Sequence, residues 1–124
     1  MARAGKEKDT KVELLHGTLD MLILKTLVFG PSHGRGIANH IRQTTDDVLS
    51  VEHGSLYPAL HRLERAGWIS GKWETRGDLS RELKYYRLTA TGRRQLHSEE
   101  SKWQQLVAAI TRVMSPVESA RVKT

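Results

Sequence analysis

One stretch constrains the fold of this chain more than any other: Gly54-Ser55-Leu56-Tyr57-Pro58-Ala59-Leu60-His61-Arg62-Leu63-Glu64. Leu56, Leu60 and Leu63 recur at i, i+4 and i+7, which gathers them on one side of a helix. Pro58, His61, Arg62 and Arg65 recur at i, i+3, i+4 and i+7 on the other side. Ser55 is expected to cap this helix, with Gly54 allowing a tight approach of the chain. Pro58 then falls in the first turn, where its missing N–H costs nothing. A short helix that is apolar within and basic without suits a DNA major groove. The same pattern fits a helix whose charged face is simply solvated.

The residues that follow favour the first reading. Ala66-Gly67 is a helix stop. Trp68 to Arg76 reads as a strand, Gly77 to Ser80 as a turn, and Glu82 to Leu88 as a returning strand. Helix then hairpin is the order of a winged helix. Arg76 and Arg81 fall near the wing tip, with Lys72 and Lys84 further down, where they can reach phosphates or a minor groove.

Charge follows the same geography. The 124 residues carry a net charge of +6, and residues 53–97 hold nine Lys/Arg against four Asp/Glu. Five of the six net charges thus coincide with the helix and wing, as a polyanionic partner requires. The absence of cysteine excludes disulfides and thiolate chemistry. No apolar run reaches the length of a membrane span, and the polar N-terminus is not a signal peptide, so a cytoplasmic protein is expected. The six histidines are scattered without metal-ligand spacing, and no catalytic constellation has supporting context. We therefore expect no metal, no cofactor and no enzymatic activity.

The expected fold class is mostly α with a small β-hairpin wing: a winged helix-turn-helix plus a long C-terminal helix. Residues 1–13 are expected to be a flexible N-terminal segment, 14–89 the winged helix-turn-helix domain, 90–115 a C-terminal dimerisation helix, and 116–124 a tail. Thr18 is expected to cap a first helix running to about Phe29. Its apolar positions Leu19, Met21, Leu22, Ile23, Leu24, Leu27 and Val28 cover most of the circumference, so it must be buried on several sides. A second helix covers Gly34 to Thr44, with Ile37, Ala38 and Ile41 inward. Val48 to Val51 reads as a short strand or a turn. Thr89 caps a rod ending near Met114, before Ser115-Pro116. Leu96, Trp103, Leu106, Val107, Ile110, Val113 and Met114 form its apolar stripe, which most simply packs against a second copy of the chain. Folding back onto the first helix is the alternative for that stripe, and both arrangements are compatible along one rod.

These residues resemble the PadR family of bacterial transcriptional regulators, over about Leu14 to Leu96. The resemblance is carried by Leu15-His16-Gly17-Thr18-Leu19-Asp20 through Leu24, by His33-Gly34-Arg35-Gly36-Ile37, by the Leu-Tyr-Pro helix with Gly67-Trp68-Ile69, and by Tyr85-Tyr86-Arg87-Leu88-Thr89. The single long final helix is similar to the compact branch of that family. The resemblance implies a homodimeric repressor that binds double-stranded DNA at a pseudo-palindromic operator. Arg35 stands where the family usually places a tyrosine, and an arginine can make the same phosphate contact. Ser55 replaces the commoner threonine.

The candidate DNA-binding residues are therefore Arg35, Ser55, Tyr57, Pro58, His61, Arg62, Arg65, Lys72, Arg76, Arg81 and Lys84. His61 and Arg62 are the best placed for base edges, with phosphate contact as their other reading. Tyr57 is either a phosphate donor or a core tyrosine. Trp103 is the candidate for a cavity that takes a small apolar or aromatic effector, as aromatic residues on this helix do in related regulators; a dimer-core tryptophan is the plainer reading. The rival to DNA binding as a whole is a winged helix used as a protein-interaction module, whose exposed helix face would be apolar rather than basic.

Overall fold

The computed structural model describes residues 16–77 and 81–115. The expected segment 1–13 and tail 116–124, and most of the turn at the wing tip, lie outside these residues. Helix α1 spans His16–Thr26 and passes into a 3-10 turn at Leu27–Phe29; strand β1 spans Ser32–His33 and helix α2 Gly34–Thr44. Helix α3 spans His53–Arg65, strands β2 and β3 span Ile69–Glu74 and Leu83–Leu88, and helix α4 spans Ala90–Met114.

The core follows the helical periodicity. Leu19, Ile23 and Leu24 of α1, Leu27 of the 3-10 turn, Ile37 and Ile41 of α2, and Leu56, Ala59, Leu60 and Leu63 of α3 are buried together with Ile69, Tyr86 and Leu96. Helix α1 is central, as its all-round apolar surface requires. The wing is a three-stranded antiparallel sheet of order β1-β3-β2, rather than a plain hairpin. Ser32 and His33 pair with Tyr86 and Tyr85. Two residues carry no period, so only the fold could bring β1 to the edge of β3.

Helix boundaries differ from expectation in two places. Helix α3 starts before Ser55, because the Glu52 carbonyl accepts from the N–H groups of both Ser55 and Leu56 at 2.9 Å. Ser55 is therefore not the cap; Glu52 holds that position and makes no side-chain capping bond. Pro58 consequently lies inside the helix, on its exposed side, where the Gly54 carbonyl it orphans can meet water. Thr18 lies within α1 rather than at its start. The stops are as expected. Trp68 N–H bonds the Leu63 carbonyl and Gly67 N–H that of Glu64, both at 3.0 Å, with Gly67 at φ +82°. This is a Schellman end, and its left-handed residue suits glycine. Thr89 caps α4 by accepting from Gly92 N–H at 2.9 Å, as its sequence position predicts.

Leu96 does not belong to an exposed stripe. It is buried in the core of its own domain, because the first turns of α4 lie against α1 and the α3–β2 corner. Every residue from Ser101 to Ser115 is exposed.

Candidate nucleic-acid interface

Helix α3 is fixed on both flanks. Its buried side is Leu56, Ala59, Leu60 and Leu63, which leaves Tyr57, Pro58, His61 and Arg65 on the exposed side. Between these faces Arg62 turns toward α1 and pairs with Asp20 at 2.7 Å. On the other flank Glu64 accepts from Lys84 Nζ at 3.1 Å and from Gly71 N–H at 3.3 Å. A Cβ at Gly71 would collide with the Lys84 side chain and meet Glu64, so glycine there lets the helix and wing close up.

Between helix and wing lies a groove of about 650 Å³, lined by His33, Gly34, Arg35, Tyr57, His61, Trp73, Arg81, Leu83, Lys84 and Tyr86. The sheet face bearing Trp73 and Lys84, which are register partners, forms one wall. The start of α2 forms the floor. There the Tyr57 ring covers Gly34 so closely that an added Cβ would lie 2.7 Å from the Tyr57 hydroxyl. His33 caps α2, its Nδ1 accepting from Gly36 N–H at 3.2 Å. Burial, and secondarily the Arg35 guanidinium, hold the His33 imidazole below its ordinary range. Burial pushes the Tyr86 phenol up, so it stays neutral and can donate a hydrogen bond.

Five sequence candidates meet in this groove: Arg35, Tyr57, His61, Arg81 and Lys84. Among the described residues Arg35 and Arg81 have no ion-pair partner, whereas Lys84 is held by Glu64. The other candidates lie elsewhere. Arg62 is not outward as its spacing implied; Asp20 occupies the guanidinium. Lys72 and Arg76 belong to the opposite side of the wing. Lys72 is opposite Tyr85 in register, and Arg76 lies over the Tyr85 ring at 4.4 Å while paired to Glu74 at 2.8 Å. Hydrogen bonds from Arg87 and then Arg76 hold the Glu74 carboxyl below the usual carboxylate range. Ser55, Pro58 and Arg65 are exposed on α3 but do not line the groove. Sequence reasoning missed His33, Trp73 and Tyr86. The alternation Ile69, Gly71, Trp73 opposite Lys84 and Tyr86 was the available signal for the last two.

A basic groove beside an exposed helix on a winged scaffold narrows the fold families considerably. A family model described as the transcriptional regulator PadR-like family matches residues 23–98, which is more than half the chain. The chain belongs to the PadR-like family. A transcriptional regulator from Clostridium thermocellum has a similar structure, with a TM-score of 0.73 and 29% identity, over 80% of this chain and 95% of that one. A PadR family transcriptional regulator from Eggerthella lenta DSM 2243 is 32% identical over 80% of this chain and 83% of its own, with a TM-score of 0.67. An uncharacterised protein of Lysinibacillus sphaericus is 27% identical over 108 residues, 86% of this chain and 96% of that protein. The family is one of transcriptional regulators rather than enzymes. Among the described residues, no helix of this PadR-like protein is long and apolar enough to cross a membrane.

Two consequences for this regulator can be measured directly. Removing both Arg62 and Asp20 should cost less than the sum of the single losses. A coupling of about 0.5–1 kcal/mol is expected for a partly exposed pair. Additive unfolding energies for Arg62→Ala, Asp20→Asn and the double variant would show that the pair contributes nothing. The second concerns pH. The folded pKa of His33 is depressed, so its contribution is complete above the ordinary imidazole range and is lost as pH falls through that range toward the lower folded value. His33→Asn keeps a capping side chain that does not titrate. The stability gap between parent and variant should be constant in mild alkali and should shift against the parent below about pH 6.5. An unchanged gap down to pH 5 would remove His33 as the titrating cap.

Proposed function

We propose that this chain is a homodimeric, sequence-specific DNA-binding regulator, a repressor released by a small molecule. The observation that carries the DNA reading is the groove between α3 and the wing, where Arg35, Tyr57, His61, Arg81 and Lys84 converge beside an exposed helix face. In this reading α3 enters the major groove, with His61 and Arg65 toward the bases. Ser55 and Pro58, exposed on the same helix, lie near phosphates, while Lys72 and Arg76 add positive charge from the far side of the wing. Arg62 acts one step back by fixing the helix to α1.

The dimer reading is supported by the exposed distal half of α4: Leu106, Ile110, Val113 and Met114 are each at least half exposed in a single chain. The effector reading is supported by two hollows beside Trp103. One, of about 260 Å³, includes Met21, Leu22 and Leu49; the other, of about 230 Å³, includes Met21 and Leu106. A chain acting on DNA in a bacterium works in the cytoplasm.

The test is a titration of duplex affinity against salt, with protection mapping across the region upstream of the protein's own gene. A steep salt dependence and a paired, two-fold protected site are expected. Arg81→Ala should lower the slope of log affinity against log salt by about one unit. Arg76→Ala should lower it less, because Glu74 already neutralises that guanidinium. Equal slopes for parent and Arg81→Ala would take the wing out of the DNA contact. No affinity for any duplex would favour a protein-interaction module instead.

A further inference from the structure

Trp73 is 61% exposed, although its same-face neighbours Ile69 and Tyr86 are buried. The sheet does not need it: the β2–β3 pairing is made by backbone groups, and Trp73 adds no core contact comparable to Ile69. Its exposed indole is apolar area that a bound partner can cover. This one lies on the wall of the groove, with Lys84 across the strand pair and Tyr57 and His61 on the helix side. The groove is thus neither uniformly charged nor uniformly apolar. It sets an aromatic plane among three cations, Arg35, Arg81 and Lys84.

A DNA strand presents the matching alternation. Each phosphate is anionic, and the deoxyribose between successive phosphates has an apolar face. An acidic protein segment would match the cations but offers no regular apolar surface between its charges. We propose that the groove seats one sugar–phosphate strand of duplex DNA, with Trp73 packed on a deoxyribose while Arg35 and Arg81 take flanking phosphates. This rests on the DNA-binding reading above. Wing affinity then has an apolar component that releases no counterions. It should therefore be insensitive to salt, unlike the arginine contacts.

The experiment measures binding of the full chain to a mixed-sequence duplex spanning two half-sites, by fluorescence anisotropy over a range of salt. Trp73→Ala should weaken binding about tenfold with an unchanged salt slope, as loss of part of a large side chain's apolar burial implies. Trp73→Phe should recover most of the loss. In a protein carrying Trp68→Phe and Trp103→Phe, the remaining indole emission should change on adding duplex. That readout stands even if Trp73→Ala fails to fold. Parental affinity in Trp73→Ala, or a slope reduced by a full unit, overturns the proposal, as does emission that ignores saturating duplex. A parent that binds no duplex at low salt overturns the DNA reading beneath it, and an acidic protein segment becomes the occupant to seek.

Discussion

Gly92→Ala is expected to destabilise the protein by about 3 kcal/mol or more, although alanine is the better helix former. Gly92 lies in the first turn of α4 and is buried. A Cβ there would overlap the Trp68 carbonyl oxygen and crowd Leu88 Cδ1 at 2.9 Å. The obstacle is backbone, so no rotamer change relieves it. Nor can that backbone move freely. The Trp68 carbonyl accepts from Thr89 N–H at 3.1 Å, and the Thr89 hydroxyl donates to the Gly67 carbonyl at 2.7 Å. These bonds join the end of α3, the start of β2 and the start of α4 into one corner. Gly54→Ala is the control. Nothing lies within 4 Å of a Cβ there, so the propensity gain of up to about 1 kcal/mol should appear undiminished. Urea unfolding of both variants decides the matter. A Gly92→Ala protein as stable as the parent would mean that the corner can open without loss.

Ile110→Glu is expected to yield a monomer and to lower operator affinity by about 10²–10⁴, the gain a dimer draws from tethering two half-site readers. In a single chain Leu106 is 56% exposed, Ile110 50%, Val113 78% and Met114 76%. Burying each large apolar side chain contributes about 1.5–3 kcal/mol. Their own domain leaves the stripe uncovered, since α4 turns its inner side to the core only as far as Leu96. Sedimentation gives the mass, and anisotropy gives the affinity. A charged Ile110→Glu chain that remains dimeric with parental affinity would locate the seam elsewhere on the surface.

Much of the scaffold was legible because its signals are local. The 3.6-residue recurrence of Leu56, Leu60 and Leu63 encodes α3. The left-handed Gly67 ends it, and the Thr89 hydroxyl starts α4. Each depends on residues within a turn of one another. The start of α3 was misread because capping by Ser55 is a side-chain preference, whereas the Glu52 carbonyl had only to be positioned by the preceding loop. His33 was missed as a cap for a related reason. Imidazole is not a usual capping group; it serves here because burial favours its neutral form and its Nδ1 faces the Gly36 N–H from which it accepts.

The candidate site was legible as a list of cations but not as an arrangement. Sequence alone determined an amphipathic α3, a basic hairpin, a buried α1 and an apolar stripe on α4, since each is a periodicity along one element. Tertiary structure alone decided which charges are available for a partner. Asp20 lies 42 residues from Arg62 and takes it out of the outward set. Glu64 holds Lys84 across the helix–wing joint, and Glu74 holds Arg76 and Arg87. An ion pair forms between whichever opposite charges the packing of separate elements brings within reach, and that distance is written nowhere along the chain. For the same reason Leu96 fell to the core while the residues beyond Ser101 stayed exposed. One helix spacing runs through the whole rod, but the domain beneath it ends first.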